Sequence, residues 1–210
     1  MKALEAIQAV NDLAAFQQGL FTAAQAQAAG VGRMSLVRLA DRGQIERVGH
    51  GVYRAGGAPS IRCEDVLAAW MGLEPAVPSY QRDKGPGGFT ASLNTAAWLL
   101  GLGELNPSPI TFSYLVRRQT RKQGLVFIKR ELAAEDIVSV EGIPVTAAPR
   151  TVLDLVDFGE DLSLVANVLN DAVGAGLIEE GLDIAREVDA RAEKRGFERS
   201  FPLYDYLRRQ

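Results

Sequence analysis

The pattern of apolar and polar positions predicts an amphipathic helix at the start of the chain. Apolar side chains recur there every three or four residues, which places them on one face of a helix. The pattern stops near residues 18–19, where a glycine favours the end of a helix. The predicted apolar stripe consists of Leu4, Ile7, Val10, Leu13 and Ala14. We therefore expect one helix with a single buried face.

Two shorter helices are predicted next. Thr22 and Gln25 have the spacing of a capping box, in which each side chain accepts from the other residue's backbone N–H. The helix that they start ends at Gly30, because glycine tolerates the left-handed conformation past a helix end. A short turn then leads into residues 33–42, which form a second amphipathic helix with arginines outside. This arrangement is typical of a helix-turn-helix, whose second helix enters the major groove of DNA.

The segment after these helices predicts a β-hairpin, the wing. Residues 44–48 and 52–54 read as strands around the tip Gly49-His50-Gly51. Their alternation is imperfect, so we expect short strands, one of them bulged. Residues 55–59 are rich in glycine and proline and predict a boundary. The domains are therefore a winged helix-turn-helix over 1–57 and a second domain over 58–210.

The second domain is predicted to mix helices with a small antiparallel sheet. One helix is expected from a cap at Ser60 to about Leu73 and another from Thr90 or Ser92 to Leu100, and helices dominate from Arg150 onward. The predicted strands are residues 110–114, 125–128 and 143–146. The fold class is therefore α+β.

Charge is divided unevenly along the chain, although the net charge is only −3. Residues 1–130 carry 15 Lys and Arg against 9 Asp and Glu, whereas residues 131–210 carry 8 against 17. The positive first part would attract a polyanion, and the negative second part would attract a basic protein. The alternative for the acidic part is a solubilising surface.

The winged segment supplies the residue types that contact DNA. Phosphates are bound by mobile cationic side chains, and base edges are read near the start of the recognition helix. The candidates are Arg33 and Ser35 at base edges, Arg38 and Arg42 further along, and Arg47, His50 and Arg54 on the wing. The alternative is a protein-interaction module whose arginines form a solvated face.

A second basic cluster lies between the first two strands of the second domain. It consists of Arg117, Arg118, Arg121 and Lys122. Each of these side chains could bind a phosphate of DNA. The alternative is a solvated hairpin tip that prevents edge-to-edge aggregation of the sheet.

No catalytic, metal or cofactor site is predicted. The single Cys63 and single His50 exclude a disulfide framework and a four-ligand zinc site within one chain. Asp154 and Asp157 have helical spacing and could hold magnesium, but no phosphate-binding loop accompanies them. We expect them instead on a solvated acidic helix face, a docking surface for a basic partner. Its other acidic residues are Asp161, Asp171, Glu179, Glu180, Asp183 and Glu187.

Two strings of residues resemble the N-terminal domain of AbiEi-type antitoxins of type IV toxin–antitoxin systems. They are Phe21-Thr22-Ala23-Ala24-Gln25 and Arg47-Val48-Gly49-His50-Gly51-Val52-Tyr53-Arg54. Segments 91–102, 142–146 and 149–155 are similar to the body of that family. The resemblance implies a repressor that binds inverted repeats in its own promoter. It also implies that the protein counteracts a nucleotidyltransferase-like toxin, and it gives DNA-contact roles to Arg33, Ser35, Arg38 and the residues of the wing.

Segment 81–88 does not match the family and is expected to be a flexible loop. The sequence shows neither a membrane-length apolar run nor a signal peptide, so we expect a cytoplasmic protein. Two alternatives remain open. The second domain could modify the toxin by phosphotransfer, or the protein could be a plain regulator without a toxin.

Overall fold

The computed structural model describes residues 3–210, which group into two compact units. Unit 1 ends at Asp83, and unit 2 comprises Lys84–Gln210. The sequence predicts a boundary after residue 57, whereas residues 58–83 group with unit 1 in the structure. The helix Glu64–Met71 explains this difference, because its apolar side is buried and packs against the wing sheet.

Unit 1 is a winged helix-turn-helix with an additional helix. The sheet order is β1-β3-β2, and both pairings are antiparallel. The register shifts between Arg47 and Gly49, which confirms the predicted bulge in the wing. The elements are α1 (Ala3–Ala15), β1 (Leu20–Thr22), α2 (Ala23–Ala28), α3 (Arg33–Asp41), β2 (Ile45–Gly49), β3 (Val52–Ala55) and α4 (Glu64–Met71).

The start of α2 follows the predicted local pattern. The backbone N–H of Gln25 donates to the Thr22 hydroxyl at 3.1 Å, and the backbone N–H of Thr22 donates to the Gln25 side chain at 3.0 Å. This reciprocal pair is the predicted capping box. Strand β1, by contrast, was not predicted, because a three-residue strand has no periodicity of its own and exists through its pairing with β3.

The predicted apolar stripe of α1 is partly wrong. Leu4 is 76% exposed, and the buried face consists of Ala6, Val10 and Ala14. Small side chains four residues apart allow close approach of α1 to the rest of the unit 1 core, whereas a leucine in the first turn extends beyond it.

Unit 2 is an α+β domain with a five-stranded sheet in the order β6-β5-β4-β8-β7. The three predicted strands are present, and two short ones join them. The elements are β4 (Thr90–Ala91), α5 (Leu93–Leu100), β5 (Ile110–Tyr114), β6 (Leu125–Lys129), β7 (Ile137–Val140), β8 (Ile143–Thr146), α6 (Ala148–Phe158), α7 (Leu162–Gly174), α8 (Leu182–Asp189) and α9 (Leu203–Arg208).

The sheet of unit 2 differs from a purely antiparallel one. The pairs β4–β5 and β7–β8 are antiparallel, but β4–β8 is parallel, and so is β5–β6, which joins two of the predicted strands. Strand direction depends on how the connecting segments cross the sheet, which the apolar pattern of each strand does not encode. Residues from α5, α6, α7, α8 and α9 form the apolar core of the unit.

Candidate nucleic-acid interface

Helix α3 presents its arginines to solvent and its leucines to the core. Leu36 and Leu39 are buried, whereas Arg33 and Arg38 are exposed. The helix begins after Gly32, whose carbonyl accepts from the backbone N–H of Ser35 at 2.9 Å. Ser35 is itself half-buried, and Arg42, just past the helix, is exposed. The cations predicted on the recognition helix therefore lie on its outer side.

Two apolar side chains on the same outer side were not predicted to contact DNA. Met34 is 64% exposed and Val37 is 41% exposed. They alternate with Arg33 and Arg38 on the exposed face of α3. Apolar groups on a recognition helix can contact the methyl group of thymine in the major groove. The sequence could have indicated their exposure, because Met34 and Val37 do not share the helix face of the buried Leu36 and Leu39.

A groove of about 480 Å³ runs between the helix-turn-helix and the wing. Arg33 lines it from α3, Arg47 from β2, and His50 from the wing tip. All three side chains are exposed. The remaining lining residues are Ala23, Gln27, Leu36, Val37, Gly51 and Tyr53. Three predicted contact residues from separate elements thus converge on one concave surface.

The wing tip is held by its own backbone and by one side chain. The guanidinium Nε of Arg47 donates to the carbonyl of Gly49 at 3.2 Å, which positions the arginine along the bulged strand. His50 and Gly51 form the exposed turn, and Gly51 adopts a positive φ of 70°. An imidazole at this position is available to donate to a phosphate oxygen.

Arg54 differs from the other predicted contacts. Its guanidinium pairs with Glu64 at 2.7 Å and also with Glu46. The hydrogen bond that Arg54 donates to Glu64 raises the pKa of Arg54, although burial acts against it. These two carboxylates compensate its charge within the fold, and we therefore leave Arg54 out of the interface proposed below.

The basic cluster 117–122 lies between two parallel strands. A hairpin tip requires antiparallel neighbours, so the hairpin alternative for this segment is wrong: the chain crosses back before β6 begins. Arg117, Arg121 and Lys122 are exposed. Arg118 is also exposed, and its guanidinium lies 4.9 Å from the Phe89 ring centre and 5.3 Å from that of Phe127. Cation–π contacts with these two rings hold this end of the segment.

Two residues of the predicted acidic face, Asp154 and Asp157, are paired with cations inside unit 2. Asp154 is 2% exposed and pairs with Arg130 and, at 2.7 Å, with Arg150. Its assignment to a solvated face is therefore wrong. An Asp154→Asn variant would remove a structural counter-ion, so lost activity in that variant could not identify a phosphotransfer residue.

Asp157, one turn further along α6, is also paired. Lys194 contacts it at 2.7 Å and Arg191 at 3.1 Å. Burial raises the pKa of Asp157, but hydrogen bonds from the two cations outweigh it, so the pKa lies below its usual value. Of the other predicted acids, Asp161 caps α7, and Asp171 accepts from the Gly103 backbone N–H at 2.8 Å. Asp161, Asp171, Glu179, Glu180, Asp183 and Glu187 are nevertheless all exposed, as predicted for a solvated acidic face.

Among residues 3–210, no group of three or more His, Cys, Asp and Glu side chains is arranged to hold a metal ion. In the same part of the chain, every helix is too short or too polar to cross a bilayer.

Comparison with known proteins supports the assignment of the first unit. Residues 8–56 match the family model described as "Transcriptional regulator, AbiEi antitoxin", which confirms the predicted resemblance over this segment. No curated protein matches the chain. The crystal structure of the RV2827C protein from Mycobacterium tuberculosis has a similar fold, with a TM-score of 0.53 and 16% identity over 97% of this chain and 80% of that one.

Proposed function

From the match of residues 8–56 to the AbiEi antitoxin transcriptional regulators, we propose that this protein is a DNA-binding antitoxin that represses its own promoter. Unit 1 binds double-stranded promoter DNA, with α3 in the major groove and the wing along the backbone. Unit 2 counteracts a nucleotidyltransferase-like toxin. The family description names a regulator, and we propose no catalytic role for any residue.

The groove between α3 and the wing is the observation that carries the DNA-binding proposal. It collects Arg33, Arg47 and His50 on one surface, beside the exposed face of α3. Arg38 and Arg42 extend the positive charge along the helix, where they can neutralise phosphates. Met34 and Val37 add apolar contacts to bases. A protein-interaction module would not require cations from three separate elements around a single groove.

The exposed cations Arg117, Arg121 and Lys122 are proposed to bind phosphates as well. Each neutralised phosphate releases condensed counterions, so each cation adds about 0.9 to the dependence of log affinity on log salt concentration. Arg118 contributes less, because its guanidinium also contacts Phe89 and Phe127.

The DNA proposal predicts that Arg38→Ala weakens binding of the full chain to its own upstream region without lowering the thermal unfolding midpoint. Arg38 is exposed and its neighbours on α3 supply the packing. We expect an affinity loss of about tenfold and a salt slope smaller by about 0.9 between roughly 50 and 200 mM salt. Fluorescence anisotropy with labelled duplex measures both quantities.

Two further variants make this titration specific. Arg199→Ala removes an equally exposed arginine outside the proposed interface and should behave like the unmodified protein. If the segment 117–122 binds phosphates, the triple alanine variant at Arg117, Arg121 and Lys122 should lower the salt dependence of affinity more than Arg38→Ala does. An unmodified chain that shows no salt-sensitive binding would refute the DNA proposal.

The toxin proposal predicts that this chain restores growth of cells that express a nucleotidyltransferase-like protein from the neighbouring reading frame. The growth rate of these cells with and without this chain measures the effect. An Arg38→Ala variant serves as the matched control, because it should lose repression yet retain rescue if the two units act separately. A neighbouring frame without such a protein, or a lack of rescue, would leave a plain regulator as the better description.

A further inference from the structure

Two buried glutamines join the first two helices of the helix-turn-helix. Gln17 and Gln25 are each 3% exposed. Their side-chain amides form a reciprocal pair, in which each Nε2 donates to the other Oε1 at 3.0 Å. Gln17 Nε2 also donates to the carbonyl of Leu13 at 3.0 Å. The pair therefore ties the end of α1 to the body of α2.

The segment that follows α4 supplies the remaining partners of this amide pair. We call residues 74–82 the strap. Gln25 Nε2 donates to the carbonyl of Val77 at 3.2 Å, and the backbone N–H of Ser79 donates to Gln17 Oε1 at 2.9 Å. The hydroxyl of Thr22, which caps α2, donates to the carbonyl of Pro75.

These contacts complete the hydrogen bonding of both amides. A primary amide offers two donors and an acceptor with two lone pairs. Gln25 Oε1 accepts from Thr22 N and from Gln17, and Gln17 Oε1 accepts from Gln25 and from Ser79 N. Without the strap, one donor of Gln25 and one acceptor site of Gln17 would be buried without a partner, which is unfavourable.

The strap is also fixed at its other end. The buried guanidinium of Arg82 donates to the carbonyls of Glu74 at 2.7 Å and Val77 at 3.1 Å. It donates as well to Trp70 and Met71, which lie at the end of α4. The strap is thus a rigid link between α4 and the helix-turn-helix.

We infer that the strap is a positioning element of the helix-turn-helix, with Gln17 and Gln25 as the positioning residues through which it acts. By fixing α2 against α1, it fixes the turn after α2, where the backbone N–H of Val31 donates to Ala26 at 2.8 Å. That turn sets the direction of α3. The inference rests on the proposed DNA-binding function, and it extends the binding module from the wing to Arg82.

Ser79→Pro in the full chain tests the inference, because it removes the N–H that donates to Gln17 and places the proline ring against Gln17 Oε1, so that this strap contact is lost. Ser79 begins a short 3₁₀ turn (Ser79–Gln81), a position where proline is tolerated. Pro78 before it is extended, with φ −59° and ψ 146°, as the residue before a proline prefers. Ser79→Ala is the matched control, because it keeps the backbone N–H.

In Ser79→Pro we expect faster amide hydrogen exchange in α2 and α3, with exchange in unit 2 unchanged. We also expect affinity for the upstream duplex to fall about tenfold, as it does when only a tenth of the molecules hold the competent geometry. The salt slope should stay the same, because the bound complex makes the same phosphate contacts. A merely structural role would lower the melting temperature without reducing affinity well below that temperature.

Unchanged exchange in α2 and α3, or faster exchange with unaltered affinity, would overturn the inference. If Ser79→Pro does not fold, the pair Gln17→Met and Gln25→Met replaces the amides with apolar groups of similar size and gives the same two readouts. If the unmodified chain fails to bind DNA, the proposed function fails, and the exchange measurement alone then decides whether the strap fixes α2 and α3.

Discussion

Asp154→Asn should destabilise unit 2 by about 3 kcal/mol, because it removes the shared counter-ion of two arginines. Burial lowers the pKa of Arg130, and the nearby guanidiniums of Arg150 and Arg191 lower it further. The carboxylate of Asp154, which Arg130 contacts, and the nearby charge of Asp157, which raises the pKa of Arg130, compensate its charge. Arg150 would keep its ion pair with Asp136 at 2.8 Å, so most of the lost stability would come from the unpaired Arg130.

Urea unfolding followed by Trp98 fluorescence in a Trp70→Phe background measures this change in unit 2. Asp157→Asn is the matched control, since it lies one turn away on α6 and one of its partners, Lys194, is exposed. We expect that control to cost about 1 kcal/mol. Replacing Asp154 and Arg130 together by Leu and Met should recover part of the loss. A loss below about 1 kcal/mol for Asp154→Asn would contradict the structural role.

Arg82→Met should destabilise unit 1 by about 3 to 5 kcal/mol. Its guanidinium donates to four backbone carbonyls, two of them at the C-terminal end of α4. Of these two, the carbonyl of Trp70 also accepts from the backbone N–H of Leu73 at 3.1 Å. It also lies 4.5 Å from the centre of the Trp70 ring. Burial lowers the pKa of Arg82 to about 10, so desolvation offsets part of this gain and the net effect is smaller than the sum of four bonds.

Trp70 fluorescence in a Trp98→Phe background reports this transition. Arg82→Lys provides the comparison, because an ammonium group has three donors and cannot reach four carbonyls in a planar arrangement. We expect Arg82→Lys to recover less than half of the stability that Arg82→Met loses. Equal stability of Arg82→Met and the unmodified chain would show that the four carbonyls find other donors.

Local sequence patterns determined the parts of the proposed DNA interface that depend on neighbours along the chain. The spacing of Thr22 and Gln25 gave the capping box, and Leu36 with Leu39 gave the inner side of α3. These signals are reliable because each depends on backbone geometry within a few residues. The bulge in the wing followed from imperfect alternation for the same reason.

Contacts between residues distant in sequence could not be obtained in this way. From its residue type and position, Arg54 was predicted to contact DNA and Asp154 to lie on an acidic face. Both instead pair with residues up to 24 positions away in the sequence. A charged residue in a sequence indicates only a preference for water or for an opposite charge, and the fold decides which of these it meets.

The amino-acid sequence alone determined the winged helix-turn-helix, its helix α3 and the cations around that helix, because these follow from short-range periodicity and capping. Tertiary structure alone decided that β5 and β6 run parallel, that Asp154 is buried between arginines, and that the strap completes the Gln17–Gln25 pair. Each of these features needs a partner brought close by the folded chain, and a hydrogen bond or ion pair exists only once both groups are in place.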